Sequence, residues 1–132
     1  MDKKRILLVD DEPEMLEVNS VLLQSYGYEI LQAKDGLAAL EMINHNPPDL
    51  ILLDLMIPGI DGIQLCALLK HNKNLKKIPI LVLSARFSED DKKTAKTAGA
   101  DGYITKPFEP QTLLAKIEEL LASPSACPVK SR

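Results

Sequence analysis

Five short apolar runs alternate with longer stretches of helical period along the chain. Ile6-Leu7-Leu8-Val9 is the first run, and the pattern after it predicts a helix from about Pro13 to Tyr26. Proline suits the first helical turn, where its missing N–H would go unbonded anyway, and Gly27 suits the stop. Tyr28 to Leu31 forms a second run. Asp35 is placed to cap a helix carrying Leu37, Leu40 and Ile43 on one face. Leu50-Ile51-Leu52-Leu53 is a third strand, apolar throughout. Asp61 is placed to cap a further helix, with Ile63, Leu65, Cys66 and Leu69 for its buried side. Ile80-Leu81-Val82-Leu83 is the fourth strand. Ser88 with Asp91 has the form of a capping box for a helix ending at Gly99. Gly102 to Ile104 is a short fifth strand. Pro110 then opens a last helix with Leu113, Leu114, Ile117, Leu120 and Leu121 at helical spacing.

Strands that are apolar on both faces, alternating with amphipathic helices, imply a parallel sheet covered on each side. The expectation is one (βα)₅ domain of the α/β class over residues 1–122. Residues 123–132, which include Ser-Pro-Ser-Ala-Cys-Pro, have the composition of a flexible tail or linker remnant.

Composition adjusts this picture only at the margins. An apolar fraction of 45% and a charged fraction of 27% in 132 residues suit one globular core. Sixteen basic and nineteen acidic residues give a net charge of −3, without the basic excess of a general nucleic-acid or membrane-surface binder. Cys66 and Cys127 form no CxxC motif, and His45 and His71 lack metal-ligand spacing and belong on solvated helix ends. The apolar run after MDKKR is too short for a signal peptide, and no run reaches membrane-spanning length. Together these features point to the cytoplasm.

In open parallel sheets, ligands bind at the carboxyl ends of the strands. Asp10, Asp11 and Glu12 follow the first strand, Asp54 the third and Ser84 the fourth, with Lys106 just past the fifth. The second run leads into Gln32-Ala33, as expected of an edge strand outside the site. Each residue alone has a plain explanation: Asp11 as a helix cap, Asp54 as a turn residue, Ser84 as a cap, Lys106 as a surface lysine. Their convergence on one sheet edge does not. Two carboxylates about 4 Å apart repel by about 4 kcal/mol at an effective dielectric of about 20, so an acid cluster needs cations or protons. Oxygen ligands without nearby His or Cys suit Mg²⁺, with Mn²⁺ as a substitute. A metal and a lysine around a carboxylate, with a hydroxyl nearby, make a phosphoryl-transfer site.

At this point the chain resembles the receiver domains of two-component response regulators. The resemblance rests on Asp10-Asp11, the run Asp54-Leu55-Met56-Ile57-Pro58-Gly59-Ile60-Asp61-Gly62, Ser84-Ala85, and Gly99-Ala100-Asp101-Gly102-Tyr103-Ile104-Thr105-Lys106-Pro107-Phe108. It implies a doubly wound, flavodoxin-like strand order of 2-1-3-4-5. It also implies that Asp54 accepts a phosphoryl group from a phosphohistidine on a histidine kinase or histidine phosphotransfer protein. Asp11, Asp54 and the backbone carbonyl of Met56 would bind Mg²⁺ directly, and Asp10 would hold it through water. Ser84, the Ala85 backbone and Lys106 would contact the phosphoryl group, and the bond before Pro107 would be cis. Tyr103 would turn inward as Ser84 moves, remodelling the face of the fourth helix, fifth strand and last helix. Tyr103 fits equally a half-buried strand aromatic with its hydroxyl at the surface. Met56 and Arg86 occupy positions that influence acyl-phosphate lifetime in the family.

The implied protein is a stoichiometric phosphoacceptor rather than an enzyme, monomeric or dimerising on phosphorylation, with an unknown downstream effector. An aspartyl-phosphate phosphatase of the haloacid-dehalogenase type would want Asp-x-Asp after the first strand and a cap domain. An FMN-binding flavodoxin-like module would want Ser, Thr and Gly where this chain has Asp10-Asp11-Glu12. A degenerate receiver serving only for docking would lack one of the expected residues.

Overall fold

The computed structural model describes residues 4–54, 62–84, 93, 96–105 and 108–122. In chain order these form β1 (Arg5–Val9), α1 (Pro13–Gln24), β2 (Glu29–Ala33), α2 (Gly36–His45), β3 (Leu50–Asp54), α3 (Gly62–Lys70), β4 (Ile80–Ser84), β5 (Gly102–Thr105) and a C-terminal helix (Pro110–Ala122). Within the helix expected between Ser88 and Gly99, Lys93 and residues 96–98 are helical; Ser88 and Asp91 lie outside the described residues, as does Asp61. All pairings are parallel, and the strand order is β2-β1-β3-β4-β5. This is the α/β, flavodoxin-like order implied by the resemblance, with β2 on an edge.

Side chains of a strand alternate between faces, and here each face has its own helices. Ile6, Leu8, Leu50, Leu52, Leu81 and Leu83 pack with Leu16 and Leu23 of α1 and with Leu113, Leu114 and Ile117 of the C-terminal helix. Leu7, Val9, Ile51, Leu53, Ile80 and Val82 pack with Ala39 and Ile43 of α2 and with Leu65, Cys66 and Leu69 of α3. Each fully buried Leu or Ile contributes about 1.5–3 kcal/mol, which is why β1, β3 and β4 lie in the middle of the sheet.

Three local expectations need correction. The first helix stops at Gln24 and not at Tyr26, because the chain turns over Ser25–Tyr26 into Gly27, at φ +94°. The second strand runs from Glu29 to Ala33, displaced toward the site end by its register with β1. Leu37 was expected on the buried face of α2 but is 63% exposed, and Gly36, Ala39 and Ile43 are buried instead. Small Ala39 lets α2 approach the sheet closely, which rotates Leu37 outward. The Asp35 cap is as expected, its carboxylate accepting the Ala38 N–H at 2.7 Å.

At the amino ends of the strands, charges are tied into backbone and side-chain pairs. The Arg5 N–H donates to Asp49 Oδ2 at 2.7 Å, while its guanidinium meets Glu29 and Asn46. Lys70 Nζ donates to Asp101 Oδ2 at 2.9 Å and to the carbonyls of Lys76 and Ile78. Asp101 also accepts the Ile80 N–H at 2.8 Å, which sets the start of β4. Gly99 (φ +112°) lies against this pair, where any Cβ would run into Lys70 Cγ.

Candidate functional site

The strand order reverses between β1 and β3, and the crevice at such a switch point is where open α/β sheets place their ligands. Val9 is level with Leu53 across β1 and β3, so Asp10 and Asp54 are the next residues on two adjacent strands. Neighbouring strands are only about 4.8 Å apart. Both acids are buried, Asp10 at 5% and Asp54 at 6% exposure. Burying a carboxylate is costly without donors or a cation, and burying two side by side compounds the cost.

Local backbone geometry fixes Asp10. Its N–H donates to the Ala33 carbonyl at 3.1 Å, extending the β1–β2 ladder past the last strand residue. Its Oδ1 accepts the Glu12 N–H at 3.0 Å, folding the acidic segment back on itself before α1 starts. This turn was not signalled by the sequence beyond the presence of Asp two residues ahead of an open N–H.

Asp11 is exposed, and it is not the cap of α1. That position belongs to Glu12, whose side chain makes no capping bond. The plain explanation for Asp11 is thereby removed. The three acids do not form a preformed cage: among the described residues, no three His, Cys, Asp or Glu side chains are gathered to hold a metal ion. Two buried carboxylates with an exposed third beside them are all oxygen donors, and Mg²⁺ uses one or two carboxylates while keeping several waters. The donor set fits that ion.

Ser84 ends β4, paired with Thr105 of β5, which puts its backbone at the same edge as Asp54. Tyr103 lies on β5, level with Val82, and is 38% exposed. Met56, Ala85, Arg86, Lys106 and Pro107 lie outside the described residues, as does the side chain of Ser84. His45 and His71 are exposed at the ends of α2 and α3, as expected. Cys66 is buried, and burial pushes its thiol up to about 12 against a smaller opposing pull from Lys70. A thiol held neutral in this way is no nucleophile.

An open parallel sheet with paired buried carboxylates at its switch point is an α/β domain of the kind that binds its ligand at the carboxyl ends of its strands. The family model for the response regulator receiver domain matches residues 6–118, and the chain belongs to that family. Among curated proteins, it is 45% identical over 118 residues to the phosphate regulon transcriptional regulatory protein PhoB of Pseudomonas aeruginosa, covering 89% of this chain and 52% of that protein. It is 39% identical over 117 residues to the DNA-binding dual master transcriptional regulator RpaA of Synechocystis, covering 89% and 48%. The chain thus spans about half the length of these relatives.

Among solved structures, a putative response regulator from Chloroflexus aurantiacus superposes with a TM-score of 0.88 at 37% identity, covering 92% of this chain and all of the other. The BeF3-activated N-terminal receiver domain of Klebsiella pneumoniae RstA gives 0.85 at 32% identity, covering 91% and 100%. Receiver domains are phosphoacceptors, and this chain is a receiver domain of the two-component type. Among the described residues, no helix is long and apolar enough to cross a membrane.

Proposed function

We propose that Asp54 is the phosphoacceptor and that Asp10, Asp11 and Asp54, with the backbone carbonyl of Met56, hold Mg²⁺ or Mn²⁺ beside it. The observation that carries this reading is the burial of Asp54 and Asp10 at the ends of adjacent strands flanking the switch point. The bound cation supplies positive charge against the acids and the phosphoryl oxygens. Asp54 attacks phosphorus in line: a P–O bond to its carboxylate forms as the P–N bond of a phosphohistidine breaks, and the departing imidazole nitrogen regains a proton from solvent. Asp10, anchored through the Glu12 N–H, would hold the cation through water. Lys106, the Ser84 hydroxyl and the Ala85 N–H bind the phosphoryl oxygens in this reading, with Pro107 cis.

The donor is a histidine kinase or a histidine phosphotransfer protein in the cytoplasm, and the chain acts stoichiometrically. Ser84 and Tyr103 couple the phosphoryl group to the face around β5, shifting the population between two arrangements. The place of Tyr103 on β5, level with Val82 and 38% exposed, is compatible with this role. Residues 1–122 are the receiver unit in this reading, and residues 123–132 have the composition of a flexible tail or linker remnant.

Incubation with Mg²⁺ and acetyl phosphate, followed by intact-protein mass, tests the assignment. One labile phosphoryl group is expected on the native chain and none on Asp54→Asn. Labelling that persists in that variant, or that proceeds in excess chelator, counts against these roles.

A further inference from the structure

The turn that carries the acids is braced from the edge strand, where no site residue was expected. Four hydrogen bonds and one peptide link run around it in a closed circuit. The Glu12 N–H donates to Asp10 Oδ1 at 3.0 Å, and the Leu16 N–H donates to the Glu12 carbonyl, also at 3.0 Å. The Leu16 carbonyl accepts from Gln32 Nε2 at 3.4 Å. The next residue of β2, Ala33, accepts the Asp10 N–H at 3.1 Å and closes the ring. Gln32 Nε2 makes a shorter bond of 2.7 Å to Ser20 Oγ, one turn further along α1. Ser20 is itself buried, at 6% exposure. One amide therefore grips α1 at two successive turns.

Strand register puts Gln32 in that place. It is level with Leu8, so its side chain lies on the face that α1 covers, while Ala33, level with Val9, turns to the other. The grip matters because the amino end of α1 has little else to tie it. Glu12, its N-cap, makes no side-chain capping bond, and an uncapped helix start frays. On the reading that Asp10, Asp11 and Asp54 hold the cation, we propose that Gln32 is a positioning residue for that cation. It fixes the first two turns of α1 against the strand whose end holds the Asp10 backbone. Asp10 and Asp11 are thereby set in place before the cation binds, and Gln32 is not itself a ligand. Support behind a ligand acts on affinity, because groups ordered in advance lose less freedom on binding.

Gln32→Met keeps the length of the side chain and removes its donors. Mg²⁺ titration of the metal-free chain, followed through the amide signals of residues 10–12 by two-dimensional NMR, reads affinity without phosphorylation. The variant should bind Mg²⁺ about threefold to tenfold more weakly than the native chain, the effect of losing one neutral hydrogen bond behind a ligand. Before metal is added, amide hydrogen exchange at Glu12 and Leu16 should quicken while that at Leu52 in β3 stays native. Ser20→Ala should weaken Mg²⁺ in the same direction and add little to Gln32→Met. Asp35→Ala, which loosens a helix start at the same sheet edge but outside the circuit, should keep the native affinity. A lower melting temperature for Gln32→Met with unchanged Mg²⁺ affinity would show that Gln32 only fastens β2 to α1, and would overturn the proposal. A native chain whose signals ignore Mg²⁺, or respond no better than those of Asp54→Asn, would instead overturn the cation reading and leave Gln32 nothing to position.

Discussion

The two ends of the sheet arrange their charges in opposite ways. At the amino ends of the strands, Lys70 is set against Asp101 and two carbonyls, and the Arg5 guanidinium against Glu29 and Asn46, so cation faces anion and amide. At the carboxyl ends, Asp10 and Asp54 are placed acid beside acid, each more than nine-tenths buried. The first arrangement holds β4 and β5 in register and has no further chemistry to offer. The second sets two carboxylates side by side at the strand ends, where the proposed cation would bind.

The largest effect should come from breaking the amino end. Asp101→Ala leaves the Lys70 cation without its carboxylate and strips the Ile80 N–H of its acceptor, so a loss of about 2–3 kcal/mol is expected in urea unfolding. A loss near zero would mean the pair is ornamental and the contrast between the two ends is false. Next in size is a gain at the opposite end. Asp54→Asn removes one of two adjacent buried charges and should stabilise the chain by about 1–2 kcal/mol in chelator. Adding Mg²⁺ should raise the melting temperature of the native chain and barely move the variant, closing the gap. A metal response of equal size in both would place the ion elsewhere.

The smallest effect separates the acids within the carboxyl end itself. Asp35 also lies there, but its carboxylate caps α2 through the Ala38 N–H. Asp35→Ala should therefore cost about 1 kcal/mol, opposite in sign to Asp54→Asn and indifferent to Mg²⁺. A stabilised Asp35→Ala would show that any acid at this edge is a burden, and that the Asp10–Asp54 pair is not distinctive.

Much of this was legible in the chain because periodicity and end residues obey short-range rules. The continuous runs at Ile6–Val9, Leu50–Leu53 and Ile80–Leu83 announce central parallel strands, and Pro13, Asp35, Gly99 and Pro110 mark helix ends where they are found. Leu37 misled because a helix's buried face is set by what packs on the sheet: Ala39, two residues on and so nearly opposite around the helix, is fully buried, which leaves Leu37 exposed. Asp10, Asp11 and Asp54 were visible as candidates and the resemblance gave each an expected role, yet their different burial could not be read from the sequence. Strand register makes Asp10 and Asp54 neighbours, and a backbone turn leaves Asp11 outside. The Lys70–Asp101 tie, spanning 31 positions, had no local signature at all.

The central claim is that Asp54, among three adjacent acids, receives the phosphoryl group. Borohydride reduces an acyl phosphate to the alcohol and leaves free carboxylates alone. The Mg²⁺- and acetyl-phosphate-treated chain can therefore be reduced, digested and sequenced by tandem mass spectrometry. Reduction at position 54 alone, with Asp10 and Asp11 intact, is the predicted result. Reduction at Asp10 or Asp11, or a phosphoryl group that resists borohydride, would contradict it.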